Sequence, residues 1–164
     1  MSNAININLG NLTFGQDANE VIKFLDGGIH EDLNMDSLEF KTSDKGNKFL
    51  AWYFKDVSGK QVSHTEWEPT RRYTDTNESF NNKVRNMISR IGQIMVNGGY
   101  ISREQFPGNY TDFQLFAMSI VNLLPVDYKT RKVRVKVVYS TSNNGKSYTG
   151  LPKYAKYQFI ESMS

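Results

Sequence analysis

Lys132-Val133-Arg134-Val135-Lys136-Val137-Val138-Tyr139 alternates a base with a valine over its first six positions. Successive side chains of a strand point to opposite faces, so Val133, Val135 and Val137 share one face and Lys132, Arg134 and Lys136 the other. The stretch reads as a half-buried antiparallel strand, valines inward and bases outward. Downstream, Ser142-Asn143-Asn144-Gly145 supplies turn chemistry, Lys146 to Thr149 can pair back, and Ala155 to Ile160 reads as a final short strand.

A second β region lies upstream. Leu38 to Thr42 alternates, Asp44-Lys45-Gly46-Asn47 turns the chain, and Phe49 to Val57 is rich in aromatics. Ser58-Gly59-Lys60 then leads into Val62 to Trp67, which Pro69 stops, giving a three-stranded meander over 37–68. Between the two β regions the apolar period changes to that of a helix. Phe80, Val84, Met87, Ile88, Ile91, Ile94 and Met95 fall on one face of a helix over 79–96, with Ile88, Ile91 and Met95 as its packing residues. Asp75 or Thr76 caps it, Glu78 standing three residues after Asp75 as in a capping box, and Asn97-Gly98-Gly99 ends it. A second helix starts at Thr111 or Asp112, places Phe113, Phe116, Ala117, Ile120, Val121 and Leu124 on one side, and stops at Pro125. The first 30 residues hold turn formers and one short helical spacing over Ala18 to Leu25. The expected fold is mainly β (α+β): a five- to six-stranded antiparallel OB-like barrel with two packing helices inserted. It forms a single domain over 1–164, with 1–30 an acidic N-terminal extension and 79–124 the helical insertion.

A chain of 164 residues fits one domain, which at this size buries roughly 68–70% of the surface its unfolded chain exposes. No apolar run approaches the roughly 20 residues that span a bilayer, so no membrane association is expected. Met1 to Leu12 lacks the basic and apolar regions of a secretory signal, which makes the expected location cytoplasmic, in the host cell if the protein is viral. The absence of cysteine excludes disulfides, thiol catalysis and Cys-ligated zinc. Net charge is only +3, yet it is unevenly spread. Residues 1–37 carry one Lys against six acids, while residues 129–164 carry eight bases against Glu161 alone. The basic third would draw a polyanion, and a solvated charged face is the alternative.

Reactive constellations are few. His30 and His64 are the only histidines, neither in a metal-binding spacing, and both read as surface or sheet residues. Glu31-Asp32 and Glu66/Glu68 have the chemistry to hold Mg²⁺, although acids so placed on exposed segments read as solvated surface. Gly98-Gly99 closes a helix instead of opening one and lacks the Gly-Lys-Ser/Thr of a phosphate loop. No metal, no cofactor and no catalysis are expected.

Single strands are held by cations that track phosphates and by rings on which bases stack. Three segments combine the two. In Lys48-Phe49-Leu50-Ala51-Trp52-Tyr53-Phe54-Lys55, alternation puts Phe49, Tyr53 and Lys55 on the wetter face, which makes Tyr53 the stacking candidate and Trp52 a core residue. The preceding strand and turn add Lys41 and Lys45. Trp67-Glu68-Pro69-Thr70-Arg71-Arg72-Tyr73 carries two guanidinium groups beside two aromatics, suited to phosphate pairing and stacking. Pairing of Arg71 and Arg72 with Asp75 and Glu78 is the alternative. Arg134 and Lys136 project opposite the valines, followed by Tyr139, Lys146, Tyr148, Lys153 and Tyr154, where an ordinary charged outer face is the alternative.

Gly27-Gly28-Ile29-His30-Glu31-Asp32-Leu33, Leu38 to Leu50 with its Lys41-Thr42-Ser43-Asp44-Lys45-Gly46-Asn47 turn, Trp52-Tyr53-Phe54 and Thr65 to Pro69 resemble a family of bacteriophage single-stranded DNA-binding proteins with an OB-like core. Tyr148-Thr149-Gly150-Leu151-Pro152 resembles that family's late return strand. These are turn and strand signatures and bear on fold more than on activity. The resemblance implies sequence-independent single-stranded DNA binding in phage replication or recombination, with replication or recombination proteins as partners and an oligomer compatible with it. An acidic tail of the kind that recruits replication enzymes is not matched, since the chain ends Lys156 to Ser164 with Glu161 its one acid. Two other readings stand beside it: a phage structural or protein-interaction module, and a Mg²⁺-dependent nuclease using Glu31, Asp32 or Glu66.

Overall fold

β1 (Gly28–Thr42) is the strand from which the sheet grows in both directions. In this computed structural model, which describes residues 24–154 and 156–164, residues 34–42 of β1 pair antiparallel with β2 (Lys48–Lys55). Residues 28–34 pair antiparallel with β4 (Lys132–Thr141). β3 (Gln61–Trp67) adds to β2, while β5 (Ser147–Gly150) and β6 (Ile160–Ser162) both add to β4. The result is a six-stranded antiparallel sheet of order β3-β2-β1-β4-β5, with β6 beside β4.

β1 starts ten residues before the alternation at Leu38 suggests, so Gly28, Ile29 and His30 belong to the sheet and not to an N-terminal extension. Two register shifts explain why the strand is hard to read. One falls between His30 and Leu33, where Asp32 takes a positive φ of 57°, and the other between Met35 and Ser37. Each adds a residue and moves the inward parity, so Leu33 and Met35 face the core and then Leu38 and Phe40 do. The final strand also differs from expectation: it is Ile160–Ser162, not 155–160, and it pairs with Val133 to Val135. The helical spacing over 18–25 lies outside the described residues up to position 23. Its described end is extended: Phe24 bridges Gln61 in parallel, and Leu25 N donates to the Gln61 carbonyl at 2.9 Å.

α1 (Asn77–Gly92) runs into a π-helical turn, Gln93–Asn97, and α2 spans Phe113–Leu123. Thr76, not Asp75, caps α1. Its Oγ1 accepts from Ser79 N at 3.0 Å while Ser79 Oγ accepts from Thr76 N at 2.8 Å, a capping box closed by Ser79 in place of Glu78. Asp112 caps α2 by accepting from Leu115 N at 2.9 Å. Both helices cover the inner sheet face. Met87, Ile91, Ile94, Met95, Phe113, Phe116 and Ile120 pack there with Leu33, Met35, Leu50, Trp52, Phe54, Val62, Val133 and Val135. Ile88 is half-buried against the same cluster. No helix among the described residues is long and apolar enough to cross a membrane.

The ends of the strand order approach each other. A Cβ placed on Gly150 of β5 would lie 3.7 Å from the Ser63 carbonyl oxygen of β3, and both strands line one groove. Among the described residues no hydrogen-bonded ladder joins β3 to β5, so the sheet is curved and open.

Candidate nucleic-acid interface

The register of β1, β2 and β3 determines what the helix-free face displays. Ser37, Tyr53 and Ser63 stand side by side, as do Glu39, Ala51 and Thr65, and then Lys41, Phe49 and Trp67. Ala51 lies between its larger neighbours Phe49 and Tyr53 and is 1% exposed, so the face dips along its centre. Phe49 packs on Trp67 with ring centroids 4.4 Å apart, which leaves Trp67 half exposed at the end of the row. Lys55 closes the other end. Trp52, of opposite parity, is fully buried.

The cations on this face already have carboxylate partners. Lys41 Nζ lies 2.7 Å from Glu39 Oε2, a contact that also holds the Lys41 ammonium above its ordinary pKa, and Lys55 Nζ lies 3.4 Å from Asp36. Solvent and salt screen exposed pairs of this kind, so a phosphate can displace them. Lys45 sits in the exposed β1–β2 turn. Lys48 has the parity of Leu50 and does not join the row.

Other residues expected to bind are set apart from this face. Arg71 leaves β3 toward α1, where it bonds to the Asn77 side chain and stacks 5.8 Å from the Phe80 ring centroid. Asp75 takes up Lys83 instead, and Arg72 and Tyr73 are exposed. On the outside of β4, Arg134 is paired with both Glu161 and Glu31, the latter at 3.4 Å. Lys136 lies 6.0 Å from the Tyr154 ring, which meets Tyr157 edge to face at 5.8 Å. Lys146 is in the β4–β5 turn, and Tyr148 faces Ser140 at the groove between β3 and β5. The one set of residues from the sequence therefore divides over the β1–β3 face, the outer β4 surface and two loops.

Glu66 departs from expectation most. It alternates with His64 and Val62 on the inner side of β3 and is 5% exposed, not solvated surface. His64 Nε2 lies 2.6 Å from Glu66 Oε2, and Arg90 of α1 reaches both carboxylate oxygens. Burial pushes the Glu66 pKa up, but the hydrogen bonds from His64 and Arg90 outweigh it and hold the carboxyl below its ordinary range. Arg90 Nη1 also donates to the Lys153 carbonyl at 3.2 Å. Only the His64/Glu66 alternation is local; Arg90 on α1 and Lys153 after β5 are distant along the chain, so nothing in the sequence signals that they meet it. Among the described residues no group of three or more His, Asp and Glu side chains is placed to hold a metal ion.

No family model matches the chain, and no curated protein matches it.

Proposed function

We propose that this protein binds single-stranded DNA, without sequence preference and without catalysis, across the helix-free face of β1, β2 and β3. The observation that carries this reading is the cross-strand row Lys41–Phe49–Trp67 beside Tyr53 and Lys55 on one open face. Rings that stack on any base and cations that meet phosphates are what sequence-independent single-strand binding needs. We take the fold as OB-like. The support is a long first strand shared between two halves of the sheet, helices between β3 and β4, and the approach of β3 to β5. The resemblance to phage single-stranded DNA-binding proteins supports a role in replication or recombination, in the cytoplasm of an infected host.

The alternative, a phage structural or protein-interaction module, draws on a groove of about 330 Å³ lined by Phe24, Tyr139 and Tyr148. Fluorescence anisotropy of a labelled oligothymidylate separates the two. Saturable binding at low salt that weakens as salt rises is expected, and no binding at low salt overturns the proposal.

A further inference from the structure

Where β3 and β5 approach, a groove of about 210 Å³ opens at the edge of the β1–β3 face. It is smaller than the roughly 300 Å³ at which pockets for drug-sized ligands begin, and suits one flat ring. Trp67 enters it from β3 and Tyr148 from β5, and Ser63, Thr65 and Ser140 add hydroxyls. Lys153 stands beside them, and no carboxylate pairs with it among the described residues. Rings to stack on, hydroxyls that both donate and accept, and an unpaired cation are the components for holding one nucleotide.

We propose that this groove is a nucleotide pocket, in which a strand lying on the β1–β3 face places one base between Trp67 and Tyr148 with a neighbouring phosphate on Lys153. The inference rests on the single-strand binding reading and modifies it at one nucleotide: the open face stays indifferent to sequence, and the pocket adds a base preference at a single position. Trp67 belongs to both surfaces, so the path is continuous. An open sheet face is indifferent to base identity, whereas a pocket with hydroxyls at its sides discriminates between base edges. The pocket wall is set before a strand arrives. Arg90, locked on Glu66, holds the Lys153 carbonyl at 3.2 Å, and Leu151 and Pro152 just before it are buried. A wall already ordered removes part of the entropy cost of binding.

Photocrosslinking with oligonucleotides that carry iodouracil at single positions, followed by peptide mapping, tests the pocket alongside anisotropy. Crosslinks at Trp67 or Tyr148 are expected in addition to those at Phe49 or Tyr53. Tyr148→Ala is expected to remove the groove crosslink, weaken binding about tenfold and level the affinities of different homopolymers. Lys153→Ala is expected to flatten the slope of log K against log[salt] by about 0.7. Both side chains lie at the groove surface, and unchanged thermal melting of each variant separates lost binding from lost fold. A strand that binds and crosslinks only on the Phe49 and Tyr53 face, with Tyr148→Ala binding like the parent, overturns the pocket and leaves single-strand binding standing. Failure of every oligonucleotide to bind overturns both.

Discussion

Arg90 grips Glu66 with both arms of its guanidinium, Nε to Oε2 at 2.8 Å and Nη2 to Oε1 at 2.9 Å, and so ties α1 to the inner side of β3. Removing one partner of a buried pair strands the other charge, at a cost on the order of 3–5 kcal/mol. Glu66→Ala is therefore expected to lower the unfolding free energy by that much, read from the fall in denaturant midpoint at constant m, with Glu66→Gln intermediate. Because the folded Glu66 pKa is depressed, its contribution is full above the unfolded value of about 4.3 and is lost as pH falls through the lower folded value. Chemical denaturation across that acid range should show a shallower loss of stability for Glu66→Gln than for the parent.

Asp75 gives a second acid-range signature. The hydrogen bond from Lys83, then that from the Arg72 backbone N–H, hold its carboxyl down at about 2. Its contribution is present above the unfolded value of about 3.9 and disappears toward pH 2. Asp75→Asn should lose that pH dependence between about pH 4 and 2 in acid melts. Thr76→Ala, which opens the neighbouring capping box, should cost about 1 kcal/mol at any pH.

Glu39 holds the Lys41 ammonium that the proposed function assigns to a phosphate. Glu39→Gln is expected to tighten oligothymidylate binding and to steepen the salt slope by up to about 0.7, and Lys41→Ala to do the reverse. Tyr53→Ala should cost about 1–3 kcal/mol of binding and leave the slope unchanged. One salt titration by anisotropy compares all three. Equal slopes for the three variants would place the phosphate path elsewhere.

Gly99 ends the π-helical turn with φ of 79°, and a Cβ there would lie 2.6 Å from Ser162 Oγ of β6. Gly99→Ala is expected to lose about 1 kcal/mol or more from backbone strain and this clash. Its melting temperature should fall while oligonucleotide affinity at low temperature is kept.

Much of the sheet can be read along the chain because its strands are half-buried. Valine–base alternation places Val133 and Arg134 on opposite faces, and the same rule separates buried Trp52 from outward Tyr53. The start of β1 could not be read that way, since bulges at Asp32 and near Asp36 shift the parity that alternation relies on. Glu66 was equally hidden. An acid two residues from another acid looks solvated, and its partner Arg90 sits 24 residues away on a helix. Composition could count the cations but not divide them. Only register shows that Lys41 shares a face with Trp67, and only the folded contacts show that Arg134 is already neutralised by Glu31 and Glu161.

The double allegiance of β1 governs the order in which the chain can assemble as it leaves a ribosome. Its second half meets β2 across a tight hairpin, but its first half waits for β4, with Leu33 opposite Val133 a hundred residues later. Contacts so distant along the chain form slowly. A nascent chain that has not yet reached Lys132 therefore holds a β1–β2–β3 meander whose apolar side is only partly covered, a state prone to self-association. Synthesis stalled at that point should yield aggregates, and release of the last third should bring soluble protein.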